Sequence, residues 1–139
     1  MMSDPLVAAG RVATTGLAAQ STRLRIIAEN MANANSTGDT AAANPYQRKT
    51  VSFEAALNPY AEAQGVEIAR ISTDKSPYIV KYEPGHPAAD ANGYVKYPNV
   101  NAIVEMADMR EANRSYEANL QVIRQARDLV SQTIDLLRG

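Results

Sequence analysis

Residues 99–139 read NVNAIVEMADMREANRSYEANLQVIRQARDLVSQTIDLLRG. Within this stretch Met106, Met109, Asn113, Tyr116, Leu120, Ile123, Arg127, Val130, Ile134 and Leu137 alternate in steps of three and four. That spacing keeps one stripe on one face of a helix, and its persistence along the whole segment marks a seam for other helices. Pro98 stops what precedes it, and either Asn99 or Asn101 suits the cap. Glu105, Asp108 and Glu111 near the start and Arg138 at the finish complement the helix dipole. The predicted helix has about 36 residues and is about 54 Å long. The mean globular helix has only about 11–12 residues, so the length itself points to a bundle or coiled coil.

The other end of the chain carries a second seam. Asp4 can cap, and Pro5 fits the first helical position, where its missing N–H costs nothing. Leu6, Gly10, Ala13, Leu17, Gln20, Leu24, Ile27, Met31 and Ala34 are spaced alternately four and three. Gly10 and Gln20 weaken the seam as a dry stripe, but its small residues admit a close helix neighbour. Asn33, Asn35 and Gly38 end the pattern, since they favour turns. A helix over residues 4–33 is about 45 Å long.

Between the seams the composition changes. Every lysine (Lys49, Lys75, Lys81 and Lys96) lies here, with most of the tyrosines and prolines. The run from Gly65 to Ile71 is short and β-branched. Tyr78, Val80 and Tyr82 alternate with Ile79, Lys81 and Glu83. Tyr94-Val95-Lys96-Tyr97 follows the hairpin-type dipeptide Asn92-Gly93. Two or three short strands with tyrosines stacked across them are predicted, after a loop at residues 38–44. The fold class is therefore mainly α with a small β unit. Long terminal helices with coiled-coil-like seams flank a short-stranded domain inserted between them. The boundaries are residues 1–37, 38–98 and 99–139.

Composition excludes much chemistry. Lys plus Arg is 14 against 15 Asp plus Glu, a net charge of -1, which leaves no electrostatic footprint for nucleic acid or an anionic membrane. With no cysteine and one histidine, disulfides, thiol catalysis and His-rich metal sites are ruled out. Residues 1–10 have no basic start and no apolar run, so no classical cleaved signal is expected, and no stretch is long enough for membrane insertion. Nucleophile-elbow and phosphate-loop patterns are absent.

His86 with Asp74 and Asp90 is the one constellation that suggests a metal-dependent enzyme. Against it, His86 lies between prolines in Pro84-Gly85-His86-Pro87, a setting for a rigid structural turn with a backbone hydrogen bond. No catalytic, cofactor or metal-binding residue is expected. The asparagines allow two readings, helix termination at Asn30, Asn33 and Asn35, or buried register-setting contacts, as for Asn113 on the seam. Arg127 on the seam pairs with an acid on another helix or snorkels to water.

The sequence also carries a family signature. The run Tyr82-Glu83-Pro84-Gly85-His86-Pro87-Ala88-Ala89-Asp90, then Gly93-Tyr94-Val95 and Tyr97-Pro98-Asn99-Val100-Asn101, resembles that of the C-type rod proteins of the bacterial flagellum. Asn113-Arg114-Ser115-Tyr116-Glu117-Ala118-Asn119 resembles their C-terminal helix. Ile27-Ala28-Glu29-Asn30-Met31-Ala32-Asn33-Ala34-Asn35 is similar to the N-terminal motif shared by rod, hook and related axial proteins, and Pro45-Tyr46-Gln47-Arg48-Lys49 continues it. Ser36 stands where the motif usually closes with Thr. The resemblance implies a non-catalytic subunit of the proximal rod, which transmits motor torque and lines the export channel. It implies terminal helices paired in a coiled-coil-like layer with the middle of the chain as a short-stranded outer domain, other copies and neighbouring rod proteins as partners in a helical assembly, and passage through the flagellar type III export apparatus without signal cleavage into a periplasm-spanning basal-body rod. A helical-hairpin adaptor or chaperone of a secretion system is the alternative. Assembly contacts are expected at Leu6, Leu17, Leu24, Ile27, Met31 and Asn33, and at Met109, Asn113, Tyr116, Leu120, Ile123, Val130, Ile134 and Leu137.

Overall fold

The computed structural model describes residues 4–55 and 65–139. In chain order the elements are α1 (Pro5–Ala32), β1 (Lys49–Ala55), β2 (Val66–Thr73), β3 (Ile79–Tyr82), β4 (Tyr94–Tyr97) and α2 (Ala102–Arg138). Two long helices flank a strand region made of two separate two-stranded sheets, β1–β2 and β3–β4. This is the mainly α class with a small β unit that the two seams predict.

Helix boundaries follow from local chemistry. Asp4 caps α1 by accepting the Leu6 N–H at 2.9 Å, and Pro5 is the first helical residue. At the other end the Asn33 amide donates to the Glu29 carbonyl at 2.9 Å and accepts from the Ser36 hydroxyl at 3.0 Å. One orphan carbonyl of the last turn is thereby satisfied. Asn101, rather than Asn99, caps α2, accepting the Ile103 N–H at 3.0 Å.

The strands exceed the expected two or three, because β1 was not foreseen. Its sequence, KTVSFEA, has Thr50, Val51 and Phe53 as strand formers beside Lys, Ser, Glu and Ala, too weak a run to announce a strand. It forms because β2 offers a partner. The Asp74 N–H donates to the Arg48 carbonyl at 2.7 Å, Thr50 meets Ser72, and the Ser52 hydroxyl reaches the Arg70 carbonyl. These links step forward on one strand and backward on the other, an antiparallel register. The pairing is long-range in sequence and leaves no local signal.

Strands β3 and β4 are antiparallel, with Ile79 opposite Tyr97 and Tyr82 opposite Tyr94. Val95 on one face is fully buried, whereas Val80, Tyr82 and Tyr94 on the other face are exposed. The Tyr82 and Tyr94 rings meet edge to face at 5.3 Å, which bears out the cross-strand tyrosine contact. Asn92-Gly93 does not form a two-residue hairpin loop. Residues 83–93 connect the strands through successive turns, closed by His86 N–H to Glu83 O, Ala89 N–H to His86 O and Gly93 N–H to Asp90 O, each at 3.0 Å. Gly93 then enters β4 with φ of 85°, and a Cβ there would stand 2.9 Å from the Tyr82 ring and 3.1 Å from Pro84. Gly93→Val is therefore expected to destabilise the protein by about 2–4 kcal/mol, summing left-handed strain and crowding. Urea unfolding measures it; a change under about 0.5 kcal/mol, the size of an ordinary surface effect, means the turn relaxes freely.

The chain divides into two compact units. One comprises the described parts of Met1–Leu24, Ser52–Arg70 and Arg110–Gly139; the other comprises Arg25–Val51 and Ile71–Met109. The buried apolar residues of the first are Ala13, Ala19, Ala112 and Ala126, all small. Those of the second are Ile26, Ile27, Ala88, Val95 and Val100, joined by buried Asn30 and Glu105.

Candidate assembly surface

In the first unit the helices approach through small residues. A Cβ at Gly10 would lie 3.8 Å from the Ala126 Cβ, and one at Gly16 only 2.8 Å from the Asn119 amide. The Arg23 guanidinium lies 3.6 Å from the Glu111 carboxylate. Numbers rise along α1 as they fall along α2, so the helices run antiparallel. Glycine and alanine at the crossing let the backbones come close, at the expense of burying little apolar surface.

The larger apolar residues are left along the margins. Leu6, Val7, Gly10 and Thr14 of α1 with Ile123, Ala126, Arg127, Val130, Ser131 and Ile134 of α2 line a groove of about 370 Å³. On the opposite flank of α1, Pro5, Ala8, Ala9, Val12 and Ala13 line a second groove with Asn119 and Val122. Leu136 and Leu137 at the end of α2 are 82% and 84% exposed.

Among the residues expected at assembly contacts, Leu6, Ile123, Val130 and Ile134 are gathered around the first groove. Leu17, Leu24, Met31 and Asn33 are half-buried, and so are Met109, Tyr116 and Leu120. Ile27 is buried inside the second unit, while Asn113 and Leu137 face outward. Arg127 is exposed at the groove rim, which in the isolated chain is the snorkelling arrangement.

The second unit is organised by side chains that periodicity does not single out. Arg48 sends Nε to Glu105, one terminal nitrogen to Asp74 at 3.3 Å and the other to Asp108 at 3.4 Å. The Glu105 side chain is 1% exposed, and among the described residues its other oxygen has no hydrogen-bond partner. The guanidinium reaches each of the three carboxylates with a different nitrogen, a spread that the single nitrogen of an ammonium does not offer. Burial works against the Arg48 charge, but hydrogen bonds and charge from Glu105 and then Asp74 more than offset it, and its pKa rises. The Ser76 hydroxyl and N–H, with further help from Arg48, hold the Asp74 carboxyl below the ordinary aspartate range. Its contribution is complete above that range and is lost only as pH falls through the lowered pKa.

Asn99 closes the same cluster. Its carbonyl accepts the Arg48 N–H at 2.8 Å, and its amide donates to the carbonyls of Asp74 and Ser76 at 2.9 and 3.1 Å. Asn30, 1% exposed, works similarly on the start of β1. It accepts from the Lys49 N–H at 2.9 Å and the Tyr46 hydroxyl at 2.7 Å, and donates to the Lys49 carbonyl at 2.9 Å. Asn33 thus terminates the helix, whereas Asn30 is a buried clamp. Burial first, then the charges of Glu29 and Glu105, push the Tyr46 hydroxyl pKa up. In the sequence Glu105 reads only as a first-turn acid, yet it is buried here while its neighbour Met106, on the predicted seam, is 57% exposed.

Pro84, Gly85, His86 and Pro87 sit in the turn series after β3, where His86 Nδ1 accepts the Ala88 N–H at 3.0 Å. Asp90 accepts the N–H groups of Asn92 and Tyr94, each at 2.9 Å, and Asp74 belongs to the Arg48 cluster. The three residues of the metal-site reading therefore have separate engagements. Among the described residues no group of three His, Asp or Glu side chains gathers as metal ligands. The Tyr97 hydroxyl donates to the Glu83 carboxylate at 2.9 Å, tying the turn series to β4, and this bond raises the Tyr97 pKa.

Two family patterns match the chain. One described as "Flagella basal body rod protein" covers residues 11–38, and "Flagellar basal body rod FlgEFG protein C-terminal" covers residues 91–136. The chain is 59% identical to the flagellar basal-body rod protein FlgC of Agrobacterium fabrum, over 98% of each sequence. It is 42% identical to FlgC of Salmonella typhimurium, over 90% of this chain and 92% of that protein. With FlgC of Borreliella burgdorferi the identity is 40%, over 92% of this chain and 95% of that protein.

Proposed function

The chain belongs to the FlgC family of flagellar basal-body rod proteins, and on that footing we propose that its terminal helices carry its assembly into the rod, without catalysis. It is a structural subunit of the rod in the flagellar basal body. Its place is the proximal rod, where its helices face the axial channel and take part in transmitting torque. Its neighbours are other copies and other rod proteins. It crosses the flagellar type III export apparatus unfolded, with no cleaved signal, and assembles in the periplasm.

The observation that carries this reading is the composition of the helix contact. The first unit buries Ala13, Ala19, Ala112 and Ala126, while Ile134, Leu136 and Leu137 remain 47%, 82% and 84% exposed. Alanine burial yields little of the roughly 25 cal/mol per Å² available from apolar surface. The backbone of each ordered residue costs about 1–2 kcal/mol, so long helices held by alanine contacts lean on neighbours for stability. A chain with weakly held ends and no cysteine also threads a narrow exporter readily.

Hydrogen exchange tests this. In dilute monomer, amides of residues 5–24 and 120–137 are expected to exchange within about an order of magnitude of unfolded rates, while those around Val95 and Glu105 are protected. In purified rods the helical amides should become strongly protected. Strong protection of both helices in the monomer overturns the reading.

A further inference from the structure

Asn92-Gly93 is the only Asn-Gly pair in the chain. Asn92 is exposed, and the residue after it has no side chain to shield its backbone nitrogen. Such a pair can react with itself. The Gly93 nitrogen attacks the Asn92 side-chain carbonyl carbon and a C–N bond forms. The Gly93 proton passes to the leaving amide nitrogen, ammonia departs, and a five-membered succinimide remains. Water then opens the ring at either carbonyl. One product is an ordinary aspartyl residue. The other is isoaspartyl, whose main chain runs through the former side chain and is one methylene longer.

The native turn opposes the first step. The Gly93 N–H donates to the Asp90 carbonyl at 3.0 Å, so the proton that must leave is engaged. Among the described residues no non-glycine residue has positive φ and no peptide bond is cis, which leaves type I as the hydrogen-bonded turn over residues 90–93. Asn92, third in that turn, then has ψ of about 0°. Ring closure requires the Gly93 nitrogen to eclipse the Asn92 Cβ about the Cα–C bond, and this ψ turns it about 120° away. Asp90 fixes the arrangement, its carboxylate accepting the N–H groups of Asn92 and Tyr94. The slot beyond has no room for a longer main chain. Gly93 is buried, its carbonyl accepts the Glu83 N–H at 2.9 Å, and even a Cβ would stand 2.9 Å from the Tyr82 ring.

We propose that Asn92 is a site of spontaneous deamidation that the native turn suppresses, and that the isoaspartyl product, once formed in the unfolded chain, prevents the turn from closing. Time spent unfolded ages the chain at this position; folding stops the reaction and rejects the product. Neither effect depends on how the terminal helices are used.

The test uses the full chain. Cleavage after Lys81 and Lys96 releases residues 82–96, in which Asn92 is the only side-chain amide. The protein is incubated at one mildly alkaline pH, folded in buffer or unfolded in guanidinium, and conversion of that peptide is followed by mass and by an isoaspartate-specific methyltransferase. Conversion should be at least about tenfold faster in the unfolded chain, because the native turn must open before it reacts. Equal rates overturn the proposal. Within the unfolded chain Asn92 should convert ahead of Asn113 and Asn119, which precede Arg and Leu; equal conversion overturns it too. The aged chain is then returned to buffer and digested briefly with protease. The isoaspartyl form is expected in the cleaved fraction, and an equal share in the surviving fraction overturns the claim that the fold rejects it. Asn92→Asp separates charge from main-chain length. It should fold with a urea midpoint near the parent's, and failure to fold would assign the effect to charge and overturn the main-chain account.

Discussion

Replacing Arg48 with Met is expected to unfold the second unit under conditions in which the parent is fully folded. Arg48 is 20% exposed and contacts Glu105, whose side chain is 1% exposed, together with Asp74 and Asp108. Removing the cation leaves a buried carboxylate without compensation, and breaking one side of such a pair costs about 3–5 kcal/mol. Most domains have only about 5–15 kcal/mol in total. Glu105 has no second hydrogen bond to fall back on among the described residues, because its other oxygen is unpartnered. Urea unfolding should show the loss as a lower midpoint. Glu105→Gln in the Arg48→Met background should recover part of it by removing the orphan charge, a coupling visible in the double-mutant cycle. Arg48→Lys should recover little, because one ammonium nitrogen cannot stand at the three positions that the Arg48 nitrogens occupy. A midpoint for Arg48→Met equal to the parent's means that the cluster contributes nothing.

The second large effect is expected outside the isolated fold. Ile123 is half-buried and lines the first groove. If the terminal helices carry assembly as proposed, Ile123→Asp puts a carboxylate where a neighbouring subunit removes water, and burying an unpaired charge costs several kcal/mol. Stability of the monomer should change by about 1 kcal/mol or less, because water still reaches the groove. Incorporation into rods, and motility with it, should be lost. Lys81→Ala is the contrast. Lys81 is exposed on the β3–β4 hairpin with its ammonium 4.5 Å from the centre of the Tyr97 ring, and its loss should leave rods intact. Normal rods with Ile123→Asp, or failed rods with Lys81→Ala, would move assembly off the helical seam. The amount of each variant in purified basal bodies, normalised to total cellular protein, decides between them.

Long periodic patterns were legible because they repeat. Each seam offers many residues that agree on a helix, and capping residues at its ends agree as well, so α1 and α2 were readable nearly to the residue. The β3–β4 pair was legible for a similar reason, as tyrosines and valines alternate and turn residues bound them. Strand β1 was not, since its evidence is a partner distant in sequence. Within the site, the apolar stripe on α2 was readable, but not which part of it faces α1. Contact runs through Ala112, Asn119 and Ala126, leaving Ile123 and Val130 at the margin. Periodicity says that a helix has an apolar side; it does not say which neighbour takes it.

The two asparagines before α2 show where local information ends. Both Asn99 and Asn101 are good caps, and from the sequence either could serve. The amino-acid sequence by itself determined that a helix starts here, because Pro98 and two asparagines precede an apolar repeat. Only the tertiary structure decided the roles. Asn99 faces Arg48 and the carbonyls of Asp74 and Ser76, three backbone groups that need partners, and so Asn101 is left to cap Ile103. Likewise Glu105 has the composition of a dipole-stabilising acid in a first turn, yet it is buried under Arg48, which lies far away in the chain. Hydrogen-bond demand is met within a turn by neighbours in sequence, which a sequence shows. In the interior it is met by whatever the fold brings near, and no pattern in the chain records that in advance.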